Sequence, residues 1–232
     1  MKSLSMSHHT IVKLMNLNLF SVPIRRGHIV PTKIQQKETN EVLWRYFDKA
    51  KENTWALESG KTTADLPGGD CLFQDVAFDW LTLPILNDVK DYWVNTLHYR
   101  TDYHMYMDSM WSNLHYEGDS TGEHCHVNGR GKSHVSLVYY LSKDSAGGHL
   151  QFKNPLEHIL RHCPLASSYD DWSRESGYDY DWKTMIMGVH EYVMFPSWLM
   201  HRTQPNTKCE RNAISMNFAG YPHDPTMGEW TT

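Results

Sequence analysis

The hydrophobic positions divide the chain into a helical first part and a strand-rich second part. Apolar residues recur at three- and four-residue spacing over 35–52 and again over 83–98, which predicts two amphipathic helices. Thr82 is a suitable N-cap for the second helix, and Pro84 suits its first turn. From about residue 101 the pattern changes to short runs rich in β-branched and aromatic residues, separated by turn signals.

This order of elements predicts a mainly β protein with N-terminal helices, built as a double-sheet jelly roll or barrel. At 232 residues, with neither repeats nor a linker, a single domain over 1–232 is expected. Helical support and edge strands would occupy 18–100, and the sheet core 101–220. Residues 154–183 break the strand rhythm, and this acidic, aromatic stretch is too long for a plain connector, so it predicts an insert or lid.

A pair of histidines, His124 and His126, is the strongest sign of chemistry. Residues two apart share a face on an extended strand, whereas on a helix they point about 200° apart. The strand-like run 134–141 nearby favours the extended alternative, which suits the pair to one metal ion. His201 follows a further strand signal and is the candidate third ligand, and Arg211 opens another strand ten residues later.

Composition excludes several classes of partner. A formal net charge of -5 gives no electrostatic case for binding nucleic acid. No apolar run reaches transmembrane length, and the N-terminus lacks the features of a signal peptide, so we expect a cytoplasmic protein without a membrane partner. The cysteines form no CxxC motif and are expected to be reduced thiols: Cys71, Cys125, Cys163 and Cys209. Cys125 should face away from the metal held by its neighbours.

Several short segments, taken in order, resemble the Fe(II)/2-oxoglutarate-dependent dioxygenases. The resemblance is to the phage-type 2OG-Fe(II) oxygenase branch related to prolyl hydroxylases, and it covers roughly 18–219. The segments that carry it are Leu19–Ile24, Trp111–Asn113, His124–His126, Val138–Leu141, Gly147–Phe152, Phe195–His201 and Arg211.

The resemblance implies a double-stranded β-helix, a cupin-like jelly roll, with Fe(II) at one open end. It assigns the iron to His124, His126 and His201 and requires no catalytic residue beyond these ligands. It implies oxidative decarboxylation of 2-oxoglutarate with O2, coupled to hydroxylation of an unactivated C–H bond, here in a peptidyl or amino-acid side chain or a small molecule. The co-substrate contacts that it assigns are Arg211, Asn113, Tyr140 and Ser215.

Two positions depart from the family pattern. His126 stands where the usual facial triad has a carboxylate, so Asp119 or Glu123 is an alternative ligand. Ala213 stands where many relatives have a serine two places after the arginine, so that hydrogen bond is missing or is made by Ser215.

Two other functions stay open at this point. One is a three-histidine, cupin-type dioxygenase that uses no keto acid, and the other is a non-enzymatic jelly-roll binding protein with a structural metal. Arg211 argues against both, because neither requires a buried cation ten residues past the third ligand. Within the insert, the candidates for substrate capture or a lid are Trp172, Tyr178, Tyr180 and Trp182. The other histidines of the strand region are expected to be structural: His115, His134, His149 and His190. Substrate identity, the outcome of the reaction and oligomeric state stay open.

Overall fold

The computed structural model describes residues 21–52, 59–127, 133–143, 147–156 and 182–222. Helix α1 spans Lys33–Phe47 and therefore ends before the predicted boundary at residue 52. It begins at a capping box, in which the Thr32 hydroxyl accepts the Gln35 N–H and the Gln35 side chain accepts the Thr32 N–H. Of the segments that the sequence singled out, Leu19, Phe20, Cys163, Trp172, Tyr178 and Tyr180 lie outside the described residues.

Helix α2 spans Asp79–Asp91 and continues as one π-helical turn over Tyr92–Thr96. The predicted N-cap at Thr82 is wrong, because Thr82 lies inside the helix and is buried. A short 3₁₀ turn over Val76–Phe78, capped by the Asp75 side chain, leads directly into α2, so the helix begins earlier in the chain than predicted. Within the described residues, no helix combines the length and hydropathy that crossing a membrane requires.

The described strands form two antiparallel sheets, which agrees with the mainly β prediction. The larger sheet has six strands in the order β1-β7-β4-β9-β3-β2, and the smaller has three in the order β6-β5-β8. Their bounds in chain order are β1 Arg25–His28, β2 Lys61–Thr62, β3 Tyr103–His115, β4 Ser133–Ser142, β5 Leu150–Lys153, β6 Trp182–Met185, β7 Glu191–Pro196, β8 His201–Thr203 and β9 Arg211–Pro222.

The alternation of side chains along β9 separates the core from a cavity on the opposite face of the larger sheet. Ile214, Met216 and Phe218 are buried in the main hydrophobic cluster, together with residues of α1 and α2. The intervening Ser215 and Asn217 line the cavity instead. This two-residue period is the geometry of a pleated strand, and it presents every second residue of β9 to the cavity.

Candidate metal and co-substrate site

Three histidine side chains meet at one end of the cavity. His124, His126 and His201 each offer a ring nitrogen, and these atoms all lie within 4.8 Å of one another. His201 opens β8, whereas the other two belong to the connection between β3 and β4. In the part of the chain that the structure describes, this is the one group of three or more His, Cys, Asp or Glu side chains placed to hold a metal ion.

The segment that carries His124 and His126 is not the regular strand that the sequence predicted. His124 forms an isolated bridge with His201, with two backbone hydrogen bonds of 2.9 Å each, and the His126 N–H donates to the Ser197 carbonyl. These few bonds, rather than a continuous ladder, hold both histidines against β8. Because strict alternation does not apply to such a segment, Cys125 lines the cavity too, although we expected it to face away.

Backbone carbonyls fix the orientation of two of the imidazole rings. The His124 Nδ1–H donates to the Gly122 carbonyl at 2.8 Å, and the His201 Nδ1–H donates to the Leu199 carbonyl at 2.9 Å. A carbonyl only accepts, so in both neutral rings the proton sits on Nδ1 and Nε2 keeps its lone pair. The Nε2 atoms of His126 and His201 lie 3.2 Å apart, so the ring of His126 meets the lone pair of His201.

Desolvation keeps the three rings neutral. It lowers the pKa of His124, lowers that of His126 to about 3, and lowers that of His201 well below its ordinary value. The charge that each ring would acquire further opposes protonation of its neighbours. At neutral pH the cluster is therefore three unprotonated imidazoles, the ligand type that suits iron(II) and similar metals.

A cavity of about 560 Å³ joins this cluster to the other residues that the sequence singled out. Arg211, Asn113, Tyr140, Ala213 and Ser215 all line it. The structure thus brings together the predicted metal ligands and the predicted co-substrate contacts, which come from β3, β4, β8, β9 and the connection after β3.

Arg211 is buried beside the cavity and forms no direct ion pair with a described carboxylate, although the charge of Asp119 is close enough to raise its pKa. It is 2% exposed, and its guanidinium donates to the Gly148 carbonyl, to His115 Nδ1 at 3.0 Å and to Thr203 Oγ1 at 3.4 Å. Its Nε atom has no hydrogen-bond partner, and burial lowers the pKa of Arg211. A buried charge surrounded by neutral acceptors is costly, so this arrangement favours an anionic ligand in the cavity.

Two further cavity residues carry buried polar atoms for which the described residues offer no hydrogen bond of good geometry, although the Leu150 backbone is close enough to lower the pKa of one of them. They are the Tyr140 hydroxyl and the Asn113 Oδ1 atom. Buried polar groups are normally paired, and each exception calls for an explanation. Their position in the same cavity as Arg211 indicates a polar ligand that these groups would contact.

His115, which the sequence predicts to be structural, is in direct contact with Arg211. It is fully buried, its Nδ1 accepts from Arg211, and its Nε2–H donates to Thr121 Oγ1 at 3.1 Å. Burial and then the charge of Arg211 lower the pKa of His115 to about 3, which keeps the ring neutral and able to accept. His115 therefore positions Arg211. The signal that could have found it is the register of β3 and β9, which places the two residues opposite each other.

The remaining candidates lie away from this cavity. The Asp119 carboxylate accepts the Tyr116 N–H at 2.8 Å, and Glu123 forms an ion pair with Lys153 at 2.7 Å; neither lines the cavity. Trp182 is buried in the smaller sheet, where the Arg202 guanidinium lies 3.9 Å from its ring centroid. His134, His149 and His190 do not line the cavity either.

Comparisons with known proteins agree with this geometry. Residues 109–218 match the protein-family model described as "Putative 2OG-Fe(II) oxygenase". A search of curated proteins found no match.

Solved structures share the fold at low sequence identity. A prolyl-4-hydroxylase from Pseudomonas putida is 15% identical with a TM-score of 0.54, over 85% of this chain and 92% of that one. The viral collagen prolyl hydroxylase of Paramecium Bursaria Chlorella virus-1, solved with 2OG, is 10% identical with a TM-score of 0.50, over 84% and 94%. HygX from Streptomyces hygroscopicus, solved with nickel, 2-oxoglutarate and hygromycin B, is 11% identical with a TM-score of 0.52, over 85% and 83%.

These likenesses show the fold, and the family match spans the histidine cluster and Arg211. Enzymes of this family use iron(II) and 2-oxoglutarate with O2. Over residues 109–218, somewhat less than half of its length, the chain therefore resembles the 2OG-Fe(II) oxygenase family.

Proposed function

We propose that this enzyme couples oxidative decarboxylation of 2-oxoglutarate to hydroxylation of an unactivated C–H bond. The two described sheets are, in this proposal, the halves of a double-stranded β-helix, or jelly roll, which holds the reaction in the cavity between the histidine cluster and Arg211. Iron(II) would be held by His124, His126 and His201.

The observation that carries the proposal is the burial of the Arg211 guanidinium without a direct ion pair to any described carboxylate. A guanidinium can bind a carboxylate through two parallel hydrogen bonds, and the unpaired Nε marks unused donor capacity. The distal carboxylate of 2-oxoglutarate is the anion that this family offers such a group. Tyr140, Asn113 and Ser215 would supply further contacts to the same molecule.

The neutral ligand set strengthens the case for a dianion. With His126 in place of the usual carboxylate, three neutral imidazoles leave both charges of iron(II) uncompensated, and Arg211 adds a third positive charge to one cavity. A doubly charged keto acid that spans the metal and Arg211 offsets most of this charge. A neutral co-substrate would leave all of it in place.

Bound iron(II), 2-oxoglutarate and O2 together supply the oxidising power for hydroxylation, with succinate and carbon dioxide as co-products. The contribution of this chain is to orient the keto acid through Arg211 and His115 and to exclude water. The apolar side chains Leu150 and Phe195 line the same cavity and limit its hydration.

The substrate that we propose is an amino-acid or peptidyl side chain, or a related small molecule. Two of the structural neighbours are prolyl hydroxylases, which supports this choice. Fold alone is a weak guide to the substrate, since one fold hosts many specificities. The four aromatic residues 172, 178, 180 and 182 stay a prediction for substrate capture or a lid.

The deciding test is an anaerobic titration of Fe(II)-loaded protein with 2-oxoglutarate, followed by its visible charge-transfer band. We expect a band in the unaltered protein and none in His201→Ala. Arg211→Met should need roughly 30-fold or more keto acid, since losing one partner of a desolvated charge pair costs about 2–5 kcal/mol.

Arg202→Met is the matched control, because Arg202 lies on β8 next to His201 but packs on Trp182 outside the cavity. It should titrate like the unaltered protein. If the unaltered protein binds iron but shows no band, the proposal is overturned, and the three-histidine dioxygenase that uses no keto acid is favoured. Absence of iron binding would leave a non-enzymatic binding protein.

A further inference from the structure

His126 differs from the other two members of the cluster in what holds its ring. His124 and His201 each donate Nδ1–H to a backbone carbonyl two residues earlier. The Nδ1 atom of His126 instead lies 3.3 Å from Asn217 Nδ2, in a side-chain amide whose O and N atoms are assigned from the hydrogen-bond network. A carbonyl dictates where the imidazole proton sits, whereas a carboxamide can either donate or accept.

Asn217 stands at the centre of a buried polar cluster that spans three adjacent strands. In the register of the larger sheet it is opposite Ser109 of β3 on one side and Ser136 of β4 on the other. Its side chain contacts both hydroxyls, at 3.3 Å to Ser109 and 2.9 Å to Ser136, and Ser136 contacts Ser197 at 2.8 Å. Asn217 is 6% exposed, so it is shielded from bulk solvent.

The serines are compatible with both orientations of the amide. In one, Nδ2 donates to Ser109 and to His126 Nδ1, while Oδ1 accepts from Ser136. In the other, Oδ1 accepts from the His126 Nδ1–H and from Ser109, while Nδ2 donates to Ser136. Hydroxyls donate and accept, so each orientation satisfies all the groups, and the choice between them depends on His126.

A metal at the cluster requires the second orientation. His126 can bind through Nε2 only when its proton sits on Nδ1, and that proton then needs an acceptor. We propose that Asn217 is a positioning residue that presents Oδ1 to the His126 Nδ1–H and so holds this ring in its metal-binding tautomer. The inference rests on the proposed function, because it assigns Asn217 a role toward the same metal.

Asn217 determines whether Nδ1 or Nε2 of His126 carries the proton. The ring is neutral in both cases. This role also explains how a third imidazole can replace a carboxylate here. A carboxylate has no tautomer to fix, whereas His126 needs a partner, and Asn217 is the described side chain that faces its Nδ1.

The test measures Co²⁺ affinity from its visible absorption in three variants of Asn217 and Asn212. Asn217→Leu removes the acceptor and should weaken Co²⁺ binding by roughly 10–100-fold, the usual effect of losing such a partner. Asn217→Asp keeps an acceptor oxygen and should bind Co²⁺ at least as tightly as the unaltered protein. Asn212→Leu is the control, since Asn212 is a buried β9 asparagine that bonds Ser112 and does not line the cavity.

Long-range ¹H–¹⁵N NMR of the metal-free protein, in which no metal dictates the tautomer of His126, provides a readout that a merely structural role would not move. The His126 Nδ1 should be protonated in the unaltered protein and in Asn217→Asp. Equal Co²⁺ affinity in Asn217→Leu, or a loss in Asn217→Asp as large as in Asn217→Leu, would overturn the proposal for Asn217 alone. Co²⁺ binding without any 2-oxoglutarate affinity would instead contradict the proposed function, and absence of Co²⁺ binding in the unaltered protein would overturn both.

Discussion

Arg211 helps to keep His115 neutral across the pair of strands that carries them. The guanidinium donates to His115 Nδ1, and its positive charge opposes protonation of the ring. Protonating His115 would remove the acceptor and place two cations side by side in the core. The pair therefore stays functional only while His115 is neutral, which makes the site sensitive to acid.

Replacing His115 with glutamine should flatten the dependence of stability on pH. The folded-state pKa of His115 is about 3, below its ordinary value near 6.5, so its contribution is present above pH 6.5 and is lost as the pH falls toward 3. At pH 5 this loss is about 2 kcal/mol for one such group. Urea unfolding at pH 7 and pH 5 measures it. His115→Gln keeps an acceptor and a donor, and an equal loss between these pH values in both proteins would contradict the assignment.

Tyr140→Phe separates a binding role from a structural role for the unpaired hydroxyl. Removing a buried hydroxyl that lacks a partner should leave the free energy of unfolding unchanged or raise it by about 1 kcal/mol. If the hydroxyl donates to 2-oxoglutarate, the same change should weaken keto-acid affinity roughly tenfold, as for a hydrogen bond to a charged group. Thermal unfolding and the anaerobic titration measure the two effects. A destabilised variant with normal affinity would show that the hydroxyl is structural.

At the scale of elements, one face of β9 packs in the core, where it should affect stability, and the other lines the cavity, where it should affect ligand binding. Met216→Ala on the core face should lower the free energy of unfolding by about 2–5 kcal/mol, as is usual for a truncated buried methionine. Ser215→Ala on the cavity face should change stability by less than about 0.5 kcal/mol and weaken 2-oxoglutarate binding. Urea denaturation followed by tryptophan fluorescence checks the contrast. Equal destabilisation by both changes would mean that the two faces do not divide these roles.

The amino-acid sequence predicts which residues of β9 share a face, but it does not predict which residues of the neighbouring strands they contact. The alternation in 211–218 and the spacing from His201 to Arg211 are visible in one chain, so the histidine cluster and the arginine that lines the same cavity could be predicted. The supporting residues depend on register: His115 faces Arg211, and Asn217 faces Ser109 and Ser136, only after β3, β4 and β9 have paired. The irregular backbone of His124–His126 could not be predicted either. This segment is held by hydrogen bonds to His201 and Ser197, and no periodic pattern in the segment itself indicates them.

For the whole molecule, the helical layer and the sheet are tied together by charge as well as by the core. Arg25 of β1 forms ion pairs with Asp88 and Asp91 of α2 at 2.6 and 2.7 Å, and the Tyr192 hydroxyl of β7 donates to Asp88. These contacts hold the helices on the face of the larger sheet opposite the cavity. Changes in the helical layer should therefore alter stability without altering the ligand set.

Stability of the whole molecule should respond to ligands because only the folded chain assembles the site. A ligand at one hundred times its Kd stabilises the folded state by about 2.7 kcal/mol, which for a chain of this size raises Tm by roughly 5–10 °C. We expect Mn²⁺ alone to raise Tm, and 2-oxoglutarate to raise it further only when Mn²⁺ is present. Differential scanning fluorimetry measures both increments without turnover.

Two variants and a second keto acid distinguish the rise in Tm caused by Mn²⁺ from the further rise caused by 2-oxoglutarate. His201→Ala should lose both, whereas Arg211→Met should keep the Mn²⁺ increment and lose the one from 2-oxoglutarate. Pyruvate retains the keto acid group but lacks the distal carboxylate, so it should add little to the Mn²⁺ increment in the unaltered protein. The buried guanidinium, which forms no direct ion pair with a described residue, is what should distinguish the two acids, because only the longer one neutralises it. Equal shifts from pyruvate and 2-oxoglutarate, or an undiminished 2-oxoglutarate shift in Arg211→Met, would show that Arg211 does not bind the co-substrate.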